Sequence, residues 1–161
     1  MSTHQRNIVE QLPISLSGRR KTDLRSQFGA LCYRTKKNGK VEVLLVTSRT
    51  SRRWIIPKGW PIDGKTPADT ATIEAWEEAG VRGISDGRCV GIFSFRKETE
   101  EMGALPCVAM VFAIEVVDLA DAFPEAEERK RKWMSRKQAA KLVDEPELSR
   151  IIRDFEPGLR G

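Results

Sequence analysis

The chain has 161 residues, 40% of them apolar and 32% charged, which suits one soluble domain with a real core and is short for two. No apolar run approaches the roughly 20 residues of a membrane span, the N-terminus "MSTHQRNIVEQLPIS" lacks the apolar heart of a secretory signal, and Cys32, Cys89 and Cys107 form no CxxC pair. Free thiols in a reducing compartment are the expectation, with the cytoplasm as the address. The single histidine is His4, so histidine triads and histidine-based zinc sites have nothing to stand on. Hydrolytic chemistry here has to run on carboxylates, lysine, or a metal held by oxygen.

Residues 1–24 are polar and basic with little periodicity, and read as an arm ahead of a domain spanning 25–157. "FGALCYRT" (28–35) and "KVEVLLVTS" (40–48) read as strands, and the Asn38-Gly39 pair between them signals a hairpin. "WIIP" (54–57) is a short strand, followed by the punctuated loop "KGWPIDGK". A helix is expected from Pro67 to Ala79, with Thr66 as N-cap, Pro67 at the first position, Asp69 imitating a capping box and Gly80 as left-handed cap. Ala68, Ala71, Thr72, Ala75 and Ala79 give it a small-residue face for close packing on a sheet. "RCVGIFSFRK" (88–97) and "CVAMVFAIEVV" (107–117) are two further strands, and "RKRKWMS" (129–135) a short basic one. Helices "RKQAAKLV" and "PELSRIIRDF" close the chain. Strands interleaved with helices imply an α/β layered domain on a mixed sheet.

The helix poses an electrostatic problem. Glu74, Glu77 and Glu78 fall at i, i+3 and i+4, on one face, where like charges destabilise by a few tenths of a kcal/mol per pair. They also lie in the last turn, where the helix dipole favours cations. A divalent cation reverses the sign of that cost. Oxygen ligands without histidine or cysteine select magnesium or manganese rather than zinc. Net charge is +5, with basic residues bunched at 18–21, 48–53 and 129–132. Acid cluster and basic runs together fit metal-assisted attack of water on a phosphoanhydride.

Gly59, Glu74, Glu77, Glu78, Gly80 and Val81 stand where the Nudix signature Gx5Ex7REUxEExGU wants them, and the chain resembles a Nudix hydrolase from about residue 25 to residue 155. Lys65 and Ile73 replace the signature's first glutamate and its arginine, a pair that braces loop against helix in the family; losing both together reads as replacement of a structural pair. The resemblance implies a Nudix-type α/β/α sandwich with a mixed sheet. It assigns Glu74 as metal-bridging carboxylate and catalytic base, Glu77 and Glu78 as metal ligands, and the Lys58 backbone carbonyl as a further ligand. A distant loop acid, Glu98, Glu100 or Glu101, is a candidate addition.

Within the family, "CYR…EVLLVTSR…RWIIP", "GRCVGIF" and "RKRKWM" resemble the diphosphoinositol polyphosphate phosphohydrolases, which also act on diadenosine polyphosphates. On that resemblance Arg25, Ser48, Arg49, Gly59 and Arg131 would meet a highly phosphorylated small molecule. Trp60 is a loop anchor or a base-stacking surface. Two alternatives stay open: an RNA 5′-end pyrophosphohydrolase using the basic runs, and a catalytically silent Nudix module that binds a phosphorylated ligand.

Overall fold

A computed structural model describes residues 11–15 and 25–158. Strands β1 (Ser26–Thr35) and β2 (Val41–Thr47) form the expected hairpin. Its turn uses Gly39 at φ 83°, with the Gly39 N–H donating to the Lys36 carbonyl at 2.8 Å, a conformation open to glycine without steric cost. β3 (Trp54–Ile55) and β4 (Lys58–Gly59) are two-residue strands that pair with β2 and β1. β5 (Val81–Thr99) and β6 (Gly103–Leu119) follow helix α1 (Pro67–Ala79) as a long antiparallel ribbon. β7 (Arg131–Ser135) joins β2, and helices α2 (Arg136–Leu142) and α3 (Pro146–Asp154) end the domain. The sheet runs β3-β2-β1-β6-β5, with β4 and β7 attached to β1 and β2. β1 and β6 are parallel and the other pairings antiparallel.

Each face of the sheet carries its own core. Ala68, Ala71, Ala75 and Ala79 of α1 pack on Phe28, Ala30, Cys32, Leu44, Phe112 and Ile114. Ala139, Ala140, Leu148 and Ile152 of α2 and α3 cover Leu31, Val43, Leu45, Phe93 and Val111 on the other. The alanine face lets α1 approach closely, and a larger side chain at Ala75, fully buried, would overpack at a cost of about 1–3 kcal/mol. The mixed-sheet sandwich is as the sequence implies.

Two departures concern the ends of elements. β5 begins at Val81 rather than near residue 88, because residues 81–85 already pair with β6 and the strand resumes its pairing at Cys89 after a bulge. Residues 11–15, inside the stretch read as an arm, are bonded to the domain: Ile14 donates to the Lys65 carbonyl at 3.0 Å and accepts from the Gly64 N–H at 2.8 Å. Residues 1–10 and 16–24, including the basic run at 18–21, lie outside the described residues.

Candidate active site

Helix α1 is built as its sequence implies. Thr66 accepts from the Asp69 N–H at 3.1 Å, Pro67 occupies the first turn, and Gly80 caps the end at φ 68°. Its last turn holds no basic residue of its own. The missing cation comes from β7, where Arg131 donates to the Ala79 carbonyl at 2.7 Å, lies over the Phe123 ring at 5.0 Å and stands 3.7 Å from Asp121. Arg131 thus supports the helix end and does not line the cavity described below. Its replacement by alanine is expected to lower stability by about 1–2 kcal/mol, measured by urea denaturation, and to leave substrate Michaelis constants unchanged.

The carboxylates divide into unlike environments. Glu78 is 4% exposed and Glu74 and Glu77 are half-buried. Burial pushes the Glu78 carboxyl well above its ordinary range; a hydrogen bond with Glu74 pushes the same way, and Arg129 opposes both. The Arg129 guanidinium, itself buried, lies 3.4 Å from Glu78 Oε1 and 3.0 Å from Glu125 Oε1, and donates to the Thr47 carbonyl at 3.0 Å. The Glu74 carboxylate lies over Gly59, where a methyl group would overlap it. The Glu74 and Glu78 carboxyl groups thus meet at the place where β4 joins α1. The Glu77 backbone carbonyl accepts from the Glu125 N–H at 3.0 Å. Among the described residues no group of three His, Cys, Asp or Glu side chains is close enough to enclose an ion by itself.

A cavity of about 450 Å³ opens on Glu78. Its wall includes Ser48, Arg49, Arg53, Lys58, Arg96, Lys97, Arg129 and Glu145, with Glu98 and Glu100 at one side. Glu101 is not part of that wall. Ser48 also anchors its own turn, accepting from the Arg53 N–H at 2.9 Å. Arg49 is exposed, 3.7 Å from Glu125 and 3.8 Å from Glu128. Arg25 lines a neighbouring cavity of about 520 Å³ that shares Phe95 and Arg96 with the first. Lys58 extends its ammonium over the Phe95 ring at 4.8 Å, and burial lowers its pKa to about 8 against the opposing pull of Glu78. Trp60 is half-buried, Lys65 exposed and Ile73 half-buried.

Several residues of this wall are not singled out from sequence, among them the Arg129 guanidinium, the Lys58 side chain, Arg53, Arg96 and Lys97. Arg129, Arg131 and Trp133 recur at every second position, a strand period that assigns them one face. Reading 129–132 as a plain basic run hides it. Arg53 closes the β2–β3 turn and Lys58 opens β4, and neither position has a sequence signature for side-chain direction.

The NUDIX domain family matches residues 24–155. The chain belongs to the Nudix family. It is 34% identical over 121 residues to Nudix hydrolase 12, mitochondrial, of Arabidopsis thaliana, covering 72% of this chain and 59% of that one. Against mouse diphosphoinositol polyphosphate phosphohydrolase 3-alpha the figures are 30% over 115 residues, 70% and 65%. The chain thus spans roughly three-fifths of the length of these relatives. A Caenorhabditis elegans Ap4A hydrolase binary complex shares the fold at TM-score 0.62 and 24% identity, over 80% of this chain and 92% of that one. No helix among the described residues is long and apolar enough to cross a membrane.

Proposed function

We propose that this Nudix protein is a magnesium- or manganese-dependent pyrophosphohydrolase of highly phosphorylated small molecules, of the diphosphoinositol polyphosphate or diadenosine polyphosphate type. The observation that carries the reading is the cavity itself, with the buried Glu78 carboxyl in its wall and six basic side chains around it. Such a wall matches a ligand with several adjacent phosphates. The names of the mouse and nematode relatives point to the same substrate class for those proteins.

The residues present fit a hard divalent cation. Glu74 and Glu78 supply neighbouring oxygen donors, one of them buried, and Glu77 and the Lys58 carbonyl are the further donors assigned by family. These four donors leave the remaining positions to water and phosphate oxygens, which suits magnesium. When bound, the cation polarises phosphate oxygens and lowers the pKa of a water. Glu74, placed over Gly59, accepts the proton that attack on phosphorus releases. Lys58 and Arg129 offset the charge of Glu78 from behind, and Arg49, Arg53 and Ser48 hold phosphates away from the bond that breaks.

The basic run at 129–132 gives little support to a nucleic-acid face. Arg129 and Arg131 are turned inward to Glu78 and Ala79, which leaves Lys130 and Lys132 exposed. Free thiols at Cys32, Cys89 and Cys107 fit a reducing compartment such as the cytoplasm, and the plant relatives are named mitochondrial.

The deciding experiment is a phosphate-release screen with magnesium and manganese over inositol pyrophosphates, dinucleoside polyphosphates, nucleoside diphosphate sugars and capped RNA. Turnover of the first two classes is expected. Preference for RNA, or no turnover at all, replaces this reading with one of the alternatives. Arg49 is exposed and held only by loose ion pairs, which contribute about 0–1 kcal/mol and release it readily. Arg49→Ala is therefore expected to raise the Michaelis constant about tenfold for a polyphosphate and hardly at all for a nucleoside diphosphate sugar. Equal losses on both substrates would remove Arg49 from phosphate recognition.

A further inference from the structure

The first turn of α1 has an unusual arrangement of partners. Pro67 has no N–H to satisfy, the Asp69 N–H goes to Thr66 Oγ1, and the Thr70 N–H goes to the Thr66 carbonyl. The Ala68 N–H has its acceptor far away in sequence: Gln11 Oε1, at 3.0 Å. The other end of the same amide donates to the Gly87 carbonyl at 2.6 Å. One side chain thereby joins the start of α1 to β5.

Three residues further on, Ile14 makes its two backbone bonds to Gly64 and Lys65 and packs against the α1-side core. These bonds fall on the loop from Trp60 to Thr66, whose own backbone bond is Lys65 N–H to Ile62 carbonyl at 3.1 Å. That loop connects Gly59 to the helix carrying Glu74, and the carboxylate of Glu74 has to stay on Gly59. Both ends of the loop's exit are thus fixed by residues 11–15 rather than by the loop itself.

We infer that residues 11–15 form a positioning strap, with Gln11 as its key residue, that holds the β4–α1 loop so that Glu74 and Gly59 keep the spacing the metal site needs. The inference rests on the reading of Glu74 and Gly59 as parts of that site. A strap that only added stability would leave metal affinity and turnover alone in folded protein. A positioning strap moves both.

The test uses Gln11→Ala in the full chain; Gln11 is half-buried and outside both cores, so the fold is expected to survive. In amide hydrogen exchange the Ala68 N–H should lose protection roughly tenfold, while the Thr70 N–H, bonded within the helix, keeps its own. Calorimetric titration with magnesium alone should show affinity weakened ~5- to 20-fold, and kcat should fall by a similar factor with KM within about twofold, the signature of a displaced catalytic group. Ile14→Pro removes the N–H that reaches Lys65 and should shift magnesium affinity and kcat in the same direction. Unchanged Ala68 protection in Gln11→Ala overturns the strap, as does lost protection with magnesium affinity and kcat intact. A natural chain that binds magnesium but hydrolyses no phosphoanhydride refutes the proposed function alone, and magnesium affinity then still decides the strap. A natural chain that binds neither magnesium nor manganese refutes both.

Discussion

Glu78→Gln is expected to lower turnover by roughly a hundredfold or more, about 3 kcal/mol in barrier, and at the same time to stabilise the metal-free protein at neutral pH. The two effects have one origin. Glu78 is buried and shares a hydrogen bond with Glu74, and both conditions favour the protonated acid, against the opposing charge of Arg129. Its folded pKa stands above the ordinary value of 4.5, so between those two values the folded chain holds a proton that the unfolded chain has released. Stability is then fully present below the unfolded value and is lost as pH rises through the folded one. Glutamine cannot ionise, so the variant should show a flatter curve from pH 5 to 8 in the presence of a chelator. Its metal-free melting temperature at pH 7.5 should rise by a few degrees, corresponding to about 1 kcal/mol. Magnesium should stabilise the natural protein and do little for the variant, because the anionic oxygen that binds it is gone. Thermal melts across pH with and without magnesium, beside steady-state kinetics, separate the outcomes. A variant that melts in parallel with the natural protein, or keeps its turnover, removes Glu78 from the metal site.

That conflict between stability and chemistry was visible in sequence. Three acids in the last turn of a helix contradict both the dipole and the i, i+4 rule, and α1 is bounded by Thr66 and Gly80 as its caps imply. Local rules also placed the strands, because β1 and β2 are continuous apolar runs bounded by turn residues. What escaped was everything set by contact between distant segments. The family resemblance makes Arg131 a phosphate ligand, yet strand register aims it at the Ala79 carbonyl. Residues 11–15 have no periodicity, and their order comes from donors offered by Gly64 and Ala68. The neutralisation of Glu78 is likewise non-local, since Arg129 arrives from a loop 51 residues further along the chain and Lys58 from β4. Local chemistry located the acids; tertiary structure decided which of them is buried.

Gly59→Ala should cost turnover nearly as much as loss of Glu74 itself. The Gly59 backbone is not in the left-handed region, so alanine brings no conformational strain and its effect is confined to the space its methyl group occupies. That space belongs to the Glu74 carboxylate. The methyl can be accommodated only if the carboxylate withdraws or β4 shifts away from α1, and either movement separates Glu74 from its place beside Glu78. A displacement of about 1 Å at a catalytic group costs on the order of a hundredfold in rate, and the Michaelis constant should hardly change because the phosphate-binding side chains lie elsewhere on the cavity wall. A double-mutant cycle identifies the cause. If the methyl acts by displacing the carboxylate, Gly59→Ala should be nearly silent in a Glu74→Ala background, where the carboxylate is already absent, and the two losses should fail to add. If the losses add fully, Gly59→Ala acts through the backbone of β4 instead, and the contact between Gly59 and Glu74 is not what sets the rate.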